Sequence, residues 1–293
     1  MDRMLRKKSL ILSFLLPALV VFTGTVILPI IWSIYYSLFH WNGVSAMRFI
    51  GFENFAKLIN DRYFVGAFVN NIIYVLINLV GQVFVGLLVA LLLTKLPKGN
   101  NFFKTIYFAP AIMSAVALGQ FFQKFYGYDP VGILNAILIA FGKPEMAMAW
   151  LGTSSTALVS VALIECYKNM GLYMVIIYSG LVAVPKDVIE SAQIDGAQGV
   201  KMFWYIKMPY IRGVLGVALV MAVNGLLKAF DIPFITTYGG PGSASELVAT
   251  YMYKTAFTSM KYGYGSAIAV FLAVESVVFV SILRAIMSRR EEL

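Results

Sequence analysis

Residues Val65–Leu93 read VGAFVNNIIYVLINLVGQVFVGLLVALLL, without one charged side chain. As an α-helix this stretch is roughly 43 Å long at 1.5 Å per residue, more than the ~30 Å of bilayer hydrocarbon it would have to cross. A second charge-free run, Leu10–Leu38, precedes it, and four more apolar stretches follow: Thr105–Phe122, Thr156–Val184, Gly213–Thr237 and Gly265–Leu283. Six spans are therefore expected. The third is short and holds Pro110, which predicts a kink there. Val131–Phe141 is apolar but too short to cross, and is expected at the interface or against the bundle.

Composition agrees with that reading. Of 293 residues, 60% are hydrophobic and 13% charged, with a mean hydropathy of +0.81. A soluble domain is about 45–50% apolar and about 25% charged. Disorder is excluded by the long apolar runs and the 22 Phe and 17 Tyr, since solvated chains lack such groups. One cysteine, Cys166, allows no intrachain disulfide and no thiolate zinc site. One histidine, His40, removes most metal and acid–base chemistry. The net charge of +9 is carried in short segments between spans rather than on a polar face interleaved with base-stacking aromatics, which argues against nucleic acid. An all-α polytopic membrane protein is expected, one bundle over 1–293 with its core over about 65–290.

Lysine and arginine placement sets the orientation. With a cytoplasmic N-terminus, that side holds Arg3, Arg6, Lys7, Lys8, Lys95, Lys98, Lys104, Lys186, Lys201, Lys207, Arg212, Arg284, Arg289 and Arg290. The far side holds Arg48, Lys57, Arg62, Lys124, Lys143, Lys254 and Lys261, half as many. Cytoplasmic loops gather Lys and Arg, so both termini are expected inside. The first run is longer than a signal-peptide core and no small-x-small site follows it before Trp41, so it reads as an uncleaved span.

The segment Val184–Tyr210 reads VPKDVIESAQIDGAQGVKMFWYIKMPY. Pro185 suits a first helical position, and Asp187 and Glu190 suit the positive end of the helix dipole. Ala192 and Gly196 are four residues apart, which predicts a shared face of small groups. Asp195-Gly196 is a turn signal that ends this helix. A second amphipathic piece, Val200–Lys207, carries Phe203, Trp204 and Ile206, with Pro209 opening the next span. The result is a surface helix–turn–helix with large apolar groups that need a cover. Headgroups would serve, and so would a partner protein.

Glu190, Ala192, Gly196, Ile206 and Pro209 fall on the pattern E-A-A-x3-G-x9-I-x-L-P, with Ser191 and Met208 as the departures. This resembles the cytoplasmic signature loop of importer-type ABC transporter permeases, the binding-protein-dependent inner-membrane components of bacteria and archaea. The resemblance implies a type I ABC importer permease fold, with 185–209 a coupling helix docked on a separate ATPase and Glu190, Ala192, Asp195, Gly196, Ile206 and Pro209 as its coupling residues. FIGFENFAKLI (Phe49–Ile59) and TTYGGPGSASELVATYMYKTAF (Thr236–Phe257) look like the carbohydrate-uptake branch, of maltose and glycerol-phosphate type. That likeness implies a second, related permease in a heterodimer, two ATPase subunits, an extracytoplasmic solute-binding protein and a sugar substrate, with lipid around the bundle. No G-x-x-x-x-G-K-[ST] loop occurs. This chain therefore carries no phosphate cradle of that type, and no cofactor is expected on it: ATP and magnesium belong to the ATPase. Gly239-Gly240-Pro241-Gly242 is a turn cluster resembling the family's external loop toward the solute-binding protein.

Ionisable groups within spans are costly and face bundle interiors or wet cavities. Span four carries Glu165, Lys168, Asn169 and Tyr173, of which 165, 168 and 169 begin an i, i+3, i+4 stripe. Span five carries Asn224, Gly225 and Lys228 on a like stripe, followed by Asp231; span six carries Glu275. These stripes are candidates for a substrate pathway, with amides and charges for sugar hydroxyls and Tyr173 or Tyr178 for ring stacking. The alternative is structural: Glu165–Lys168 and Lys228–Asp231 as i, i+3 ion pairs, Glu275 meeting a lysine across a helix interface, and Gly225 as a close-packing or cavity position. His40 and Trp41 read as an aromatic belt at the outer end of span one, and Cys166 as a small buried apolar group. An ion-gradient-driven secondary transporter using Glu165, Asp231 and Glu275 is the rival function. It leaves the signature loop unexplained, and no inverted repeat of the kind such transporters carry is found.

Overall fold

The computed structural model describes residues 8–96 and 98–288. Arg3, Arg6, Lys7, Arg289 and Arg290, counted above for orientation, lie outside the described residues. By internal contacts the chain divides into two compact units, one within Met1–Asp61 and Met252–Val274, the other within Arg62–Tyr251 and Glu275–Leu293.

In the first unit, α1 runs through Lys8–Phe22, a π-helical turn Thr23–Ile27 and Leu28–Ser37. Pro29 stands just past that turn and has no N–H to return to the preceding carbonyls, a common cause of a local change in helical pitch. Of the described α1 side chains only Ser37 is buried. Beyond it, Phe39–His40 pairs antiparallel with Arg48–Phe49, and α2 (Glu53–Asn60) follows. Buried Asn54, inside the FIGFENF motif, donates to the carbonyls of Ser37 at 2.7 Å and Phe39 at 3.0 Å. It thereby satisfies acceptors that the end of α1 leaves open. The Tyr264 hydroxyl donates to Asp61 at 2.7 Å, and Lys57 lies 4.8 Å from the Tyr264 ring. His40 is exposed, and Trp41 sits in an aromatic row with Tyr36 and Tyr262.

The second unit opens with α3 (Arg62–Thr94), which contains a π-helical turn at Leu79–Phe84. The third expected span, Thr105–Phe122, is instead two helices, α4 (Asn100–Ile112) and α5 (Ala115–Phe125), meeting at 97°. Pro110 lies inside α4, and the break comes after it, where Met113 and Ser114 turn extended. The kink expected at Pro110 is thus a full corner three residues on, closed by Leu118 N–H donating to Ser114 O. Next come α6 (Ile133–Ala140), α7 (Ala157–Val182) and α8 (Lys186–Ile194). Gly199–Lys201 and a π-helical turn Met202–Lys207 then feed α9 (Met208–Leu227) without interruption. The amphipathic piece Val200–Lys207 is therefore the start of the fifth span rather than a separate helix. The expected span Gly213–Thr237 breaks at residues 228–230 before α10 (Asp231–Thr236). Two further helices complete the chain order, α11 (Val248–Tyr253) and α12 (Tyr262–Ser288), each divided between the units, since Met252–Val274 belongs to the first. Among the described residues five helices are long and apolar enough to cross a membrane, and the bent α4–α5 pair makes a sixth passage if counted as one.

Helix α7 is the centre of this unit, and small residues let its neighbours in, as they do wherever membrane helices approach closely. A Cβ at Gly171 would overlap the Tyr107 carbonyl of α4, and one at Gly81 of α3 would overlap the Cys166 side chain. At Gly86 it would stand 3.1 Å from Met174 N, and at Gly180 3.0 Å from Val214 of α9.

Candidate functional site

The inter-span element is built by its cap. Pro185 is the N-cap of α8 with extended ψ, one residue before the helical position its ring suggests. At the far end Ala197 N–H donates to Ala192 O at 2.8 Å and Gly196 N–H to Gln193 O at 3.1 Å. This is a Schellman motif, which requires a left-handed residue after the C-cap; Asp195 is the C-cap and Gly196 has φ +80°. Gly196 is thus off the helix and exposed, and a Cβ added there would meet nothing within 4 Å, whereas Ala192 is buried. The expected shared small-residue face is not formed: Ala192 packs inward, and Gly196 serves the turn. Glu190 and Pro209 are exposed and Ile206 is half-buried. The apolar groups left open are Ile194 at 87%, Val200 at 72% and Tyr205 at 75% exposure. Ile194 ends α8, whereas Val200 and Tyr205 stand on the lead-in to α9, beside exposed Trp204.

Within the spans, residues of α7 gather with residues of α3 and α10. Asn169 Nδ2 donates to Glu165 Oε1 at 2.6 Å, so Asn169 holds the carboxylate directly. Lys168 and Asp231 are near enough to act on its charge, and Tyr173 feels it in turn. The fully buried Tyr74 hydroxyl lies beside Glu165 yet completes no hydrogen bond. Tyr173 is buried in the core, and Tyr178 sits 3.2 Å from the Asn100 amide with Lys104 over its ring. Neither ring is open for stacking in this conformation.

The polar residues of α9 go elsewhere. Asn224, Gly225 and Lys228 are exposed, as are Met221 and Asp231. A Cβ at Gly225 would meet nothing within 4 Å, so this glycine borders open space and is no close-packing point. Lys228 is the C-cap of α9 while Asp231 opens α10, so the two do not share one helix as an i, i+3 pair. Lysine at membrane depth costs about 2.5–3.5 kcal/mol unless it meets water or protein. An exposed Asn–Lys stripe therefore faces an aqueous cavity or another chain. Glu275 is buried, and both its oxygens lack a hydrogen-bond partner; the expected lysine is not there.

A second buried polar stripe escaped the sequence reading: Asn71, Tyr74, Asn78 and Gln82 on α3, all at most 1% exposed. Gln82 Nε2 donates to Asn78 Oδ1 at 2.8 Å and to Glu165 O at 3.1 Å, and Cys166 Sγ stands 3.3 Å from Asn78 Oδ1. Asn71 Nδ2 reaches Leu227 O. The signal was present, since 74, 78 and 82 repeat at four residues, but absence of charge from Val65 to Leu93 hid it.

At the opposite end of α3, Asn70 Nδ2 donates to the carbonyls of Ser243, Ala244 and Glu246 at 3.1–3.2 Å. Gly239, φ +78°, lies against the Glu246 carboxylate, which accepts from Thr250 at 2.6 Å. The Gly-Gly-Pro-Gly turn is therefore a fixed loop. Beside it a cavity of about 410 Å³ is lined by Tyr126, Tyr128, Gln123, Thr237 and Pro241, among others.

Several apolar passages around an internal polar cluster, with a capped surface helix between two of them, make this a polytopic membrane protein. The chain belongs to the family described as binding-protein-dependent transport system inner membrane component, which matches residues 64–292. It is the non-catalytic permease subunit of an ABC-type importer, working with a solute-binding protein and an ATPase, and a multi-pass inner-membrane protein. It is 38% identical to the probable ABC transporter permease protein YurN of Bacillus subtilis, covering 87% of this chain and 88% of that one. It is 29% identical to the multiple sugar-binding transport system permease protein MsmF of Streptococcus mutans (90% of each). It is 33% identical to the osmoprotective compounds uptake permease protein GgtC of Synechocystis (88% and 92%). The fold matches a crystal structure of a bacterial ABC transporter involved in import of the acidic polysaccharide alginate, with TM-score 0.85, 20% identity and 98% of each chain covered.

Proposed function

We propose that this chain carries a sugar or oligosaccharide across the membrane as one half of a permease pair, its partner a second, related permease. Two ATPase subunits, with ATP and magnesium, drive it from the Lys/Arg-rich side, which is the cytoplasmic side and holds both termini. An extracytoplasmic solute-binding protein delivers substrate at the Gly239–Glu246 loop. The observation that carries the reading is the α8 element: a Schellman-capped helix between two passages that leaves Ile194 uncovered, with Val200 and Tyr205 uncovered where the next passage begins. Nucleotide closure that binds one position of this element better than another shifts the bundle by that difference in affinity.

Sugar is favoured by the naming of MsmF and by the neutral amides Asn169 and Asn224, which suit hydroxyl groups. Glu165, Lys168, Asn169, Asn224, Gly225 and Lys228 border the route in this reading, while Tyr173 acts from behind as packing. An ion-coupled carrier using Glu165, Asp231 and Glu275 would need no partner on α8. The test is uptake of a panel of labelled oligosaccharides into proteoliposomes holding the assembled complex, with ionophores collapsing every ion gradient. ATP-dependent uptake that survives the ionophores supports the proposal; uptake that disappears with the gradient overturns it.

A further inference from the structure

Tyr128 follows α5 and is 56% exposed, and it lines two cavities. One, of about 410 Å³, is lined from the end of α5 and from the segment after α10, with Gln123, Tyr126 and Pro241 among its residues. The other, of about 350 Å³, includes Asp129, Asn135 and Pro144. Both volumes fall within the range of small-molecule sites, about 300–1,000 Å³. All of these residues belong to the second unit.

The backbone that carries Tyr128 is fixed from beneath. Asn135 of α6, at 1% exposure, donates to the carbonyls of Gly127 at 2.8 Å and Met148 at 3.0 Å. Its Oδ1 accepts from Met148 N at 3.2 Å and from Trp150 Nε1 at 2.9 Å. Both N–H donors and both lone pairs of the amide are thereby used. Gly132 N–H closes the turn onto Gly127 O at 2.9 Å, and a Cβ at Gly132 would overlap the Lys124 carbonyl. Gln123 Nε2 ties α5 to the carbonyls of Ile235 and Thr236, which holds two walls of the larger cavity together. The exposed ring thus stands on a preformed support, and a ligand meeting it does not have to order the loop first.

The chemistry around the ring narrows the ligand. An aromatic face is electron-rich, so the C–H face of a pyranose packs on it while the sugar hydroxyls point outward around the rim. Acceptors for those hydroxyls stand in each cavity: the Gln123 amide oxygen, which remains once Nε2 is bonded, and the Asp129 carboxylate. Tyr126 and Tyr128 add phenolic groups that both donate and accept. No lysine or arginine occurs among the described residues lining either cavity, and Asp129 is the one acid among them. A uronic acid would bring its carboxylate beside a like charge, an arrangement that rejects ligands; a neutral sugar brings none.

We infer that Tyr128 is the aromatic platform of a neutral-saccharide subsite at the outer mouth of the permease, with one sugar ring on its face and a neighbouring unit reaching Gln123 or Asp129. The inference rests on the importer reading for the side of the membrane and for sugar as the cargo. It adds the place where the sugar is first held and the requirement that it be uncharged.

The experiment uses the assembled complex with the full chain, in phospholipid nanodiscs free of glycoside detergent and without the solute-binding protein. Saturation-transfer NMR reads binding of maltotriose, cellotriose, raffinose and trimannuronate, each titrated to an apparent Kd. At least one of the three neutral trisaccharides should bind, and trimannuronate should bind more weakly. Tyr128→Ala should weaken the bound sugar about 2–10-fold, the scale of one stacked aromatic contact, while Tyr128→Phe, which keeps the ring face, should stay within about twofold. Unchanged affinity in Tyr128→Ala, absence of transfer from all four probes, or trimannuronate binding as tightly as the neutral sugars would each overturn the subsite. A Tyr128→Ala complex that loses the solute-binding protein in pull-down while keeping its sugar affinity would overturn it too, because the ring then belongs to a protein interface. Uptake under ionophores judges the importer reading separately. If uptake is gradient-driven while the Tyr128 effect stands, that reading fails and the subsite is supported. If ATP-driven sugar uptake holds and Tyr128→Ala binds as before, the subsite alone fails.

Discussion

Replacing Gly196 separates what the turn needs from what a partner needs. In a left-handed position an added Cβ costs about 1–2 kcal/mol, equivalent to roughly a 5–30-fold loss in the population of the capped state. Nothing in the chain lies within 4 Å of that Cβ, so Gly196→Ala and Gly196→Leu should impose the same backbone cost on the isolated chain. Asparagine adopts left-handed conformations far more readily, so Gly196→Asn should restore most of the turn. Melting temperatures of the purified chain in detergent should therefore match for the alanine and leucine variants. ATP-driven uptake and ATPase co-purification should fall in the order Gly, Asn, Ala, Leu, with leucine lowest because only a docked partner meets its bulk. If alanine transports as well as glycine, the left-handed turn is irrelevant to coupling. If leucine equals alanine in co-purification, no partner surface lies against this corner.

Other consequences are simpler to score. Gly171→Val places a branched side chain into the Tyr107 backbone of α4; overpacking costs about 1–3 kcal/mol or more, so thermal stability in detergent should drop clearly, whereas Gly225→Ala should leave it unchanged. Asn169→Ala frees the Glu165 carboxylate and should change substrate preference or basal ATPase activity more than Asn224→Ser does; silence at both positions removes them from the route. Cys166, buried beside Asn78, should resist maleimide in the folded protein and react fully in denaturant, which a titration of labelled mass reads directly.

What the sequence made legible was the large-scale order: the apolar passages, a short apolar piece between the third and fourth, and a surface helix between the fourth and fifth, although Val200–Lys207, expected as its second part, opens the fifth passage instead. Hydrophobic length carries those, because the bilayer imposes it. The breaks were harder. Pro110 signals a kink, but the corner falls three residues later, at Met113–Ser114, and the interruption at 228–230 falls among residues that look helical one by one. Past both breaks, Gln123 Nε2 donates to the carbonyls of Ile235 and Thr236, tying α5 to α10. In the site, charge drew attention to Glu165 and Lys168, while the uncharged Asn71–Gln82 stripe, which does the bonding to α7, passed for ordinary span. At Gly196 small size suggested packing, whereas the backbone angle is what the turn requires. Among the described residues the Glu275 carboxylate has no hydrogen-bond partner, and nothing in the structure explains its burial.

The central claim is that the Lys186–Gly196 element is where ATPase motion enters this bundle. A photo-crosslinking amino acid at Ile194, the most exposed apolar group on that element at 87%, measures this in the assembled complex. The account predicts an adduct with the ATPase chain whose yield changes on adding ATP with vanadate. Adducts only with lipid, or an ATPase adduct indifferent to nucleotide, would contradict it.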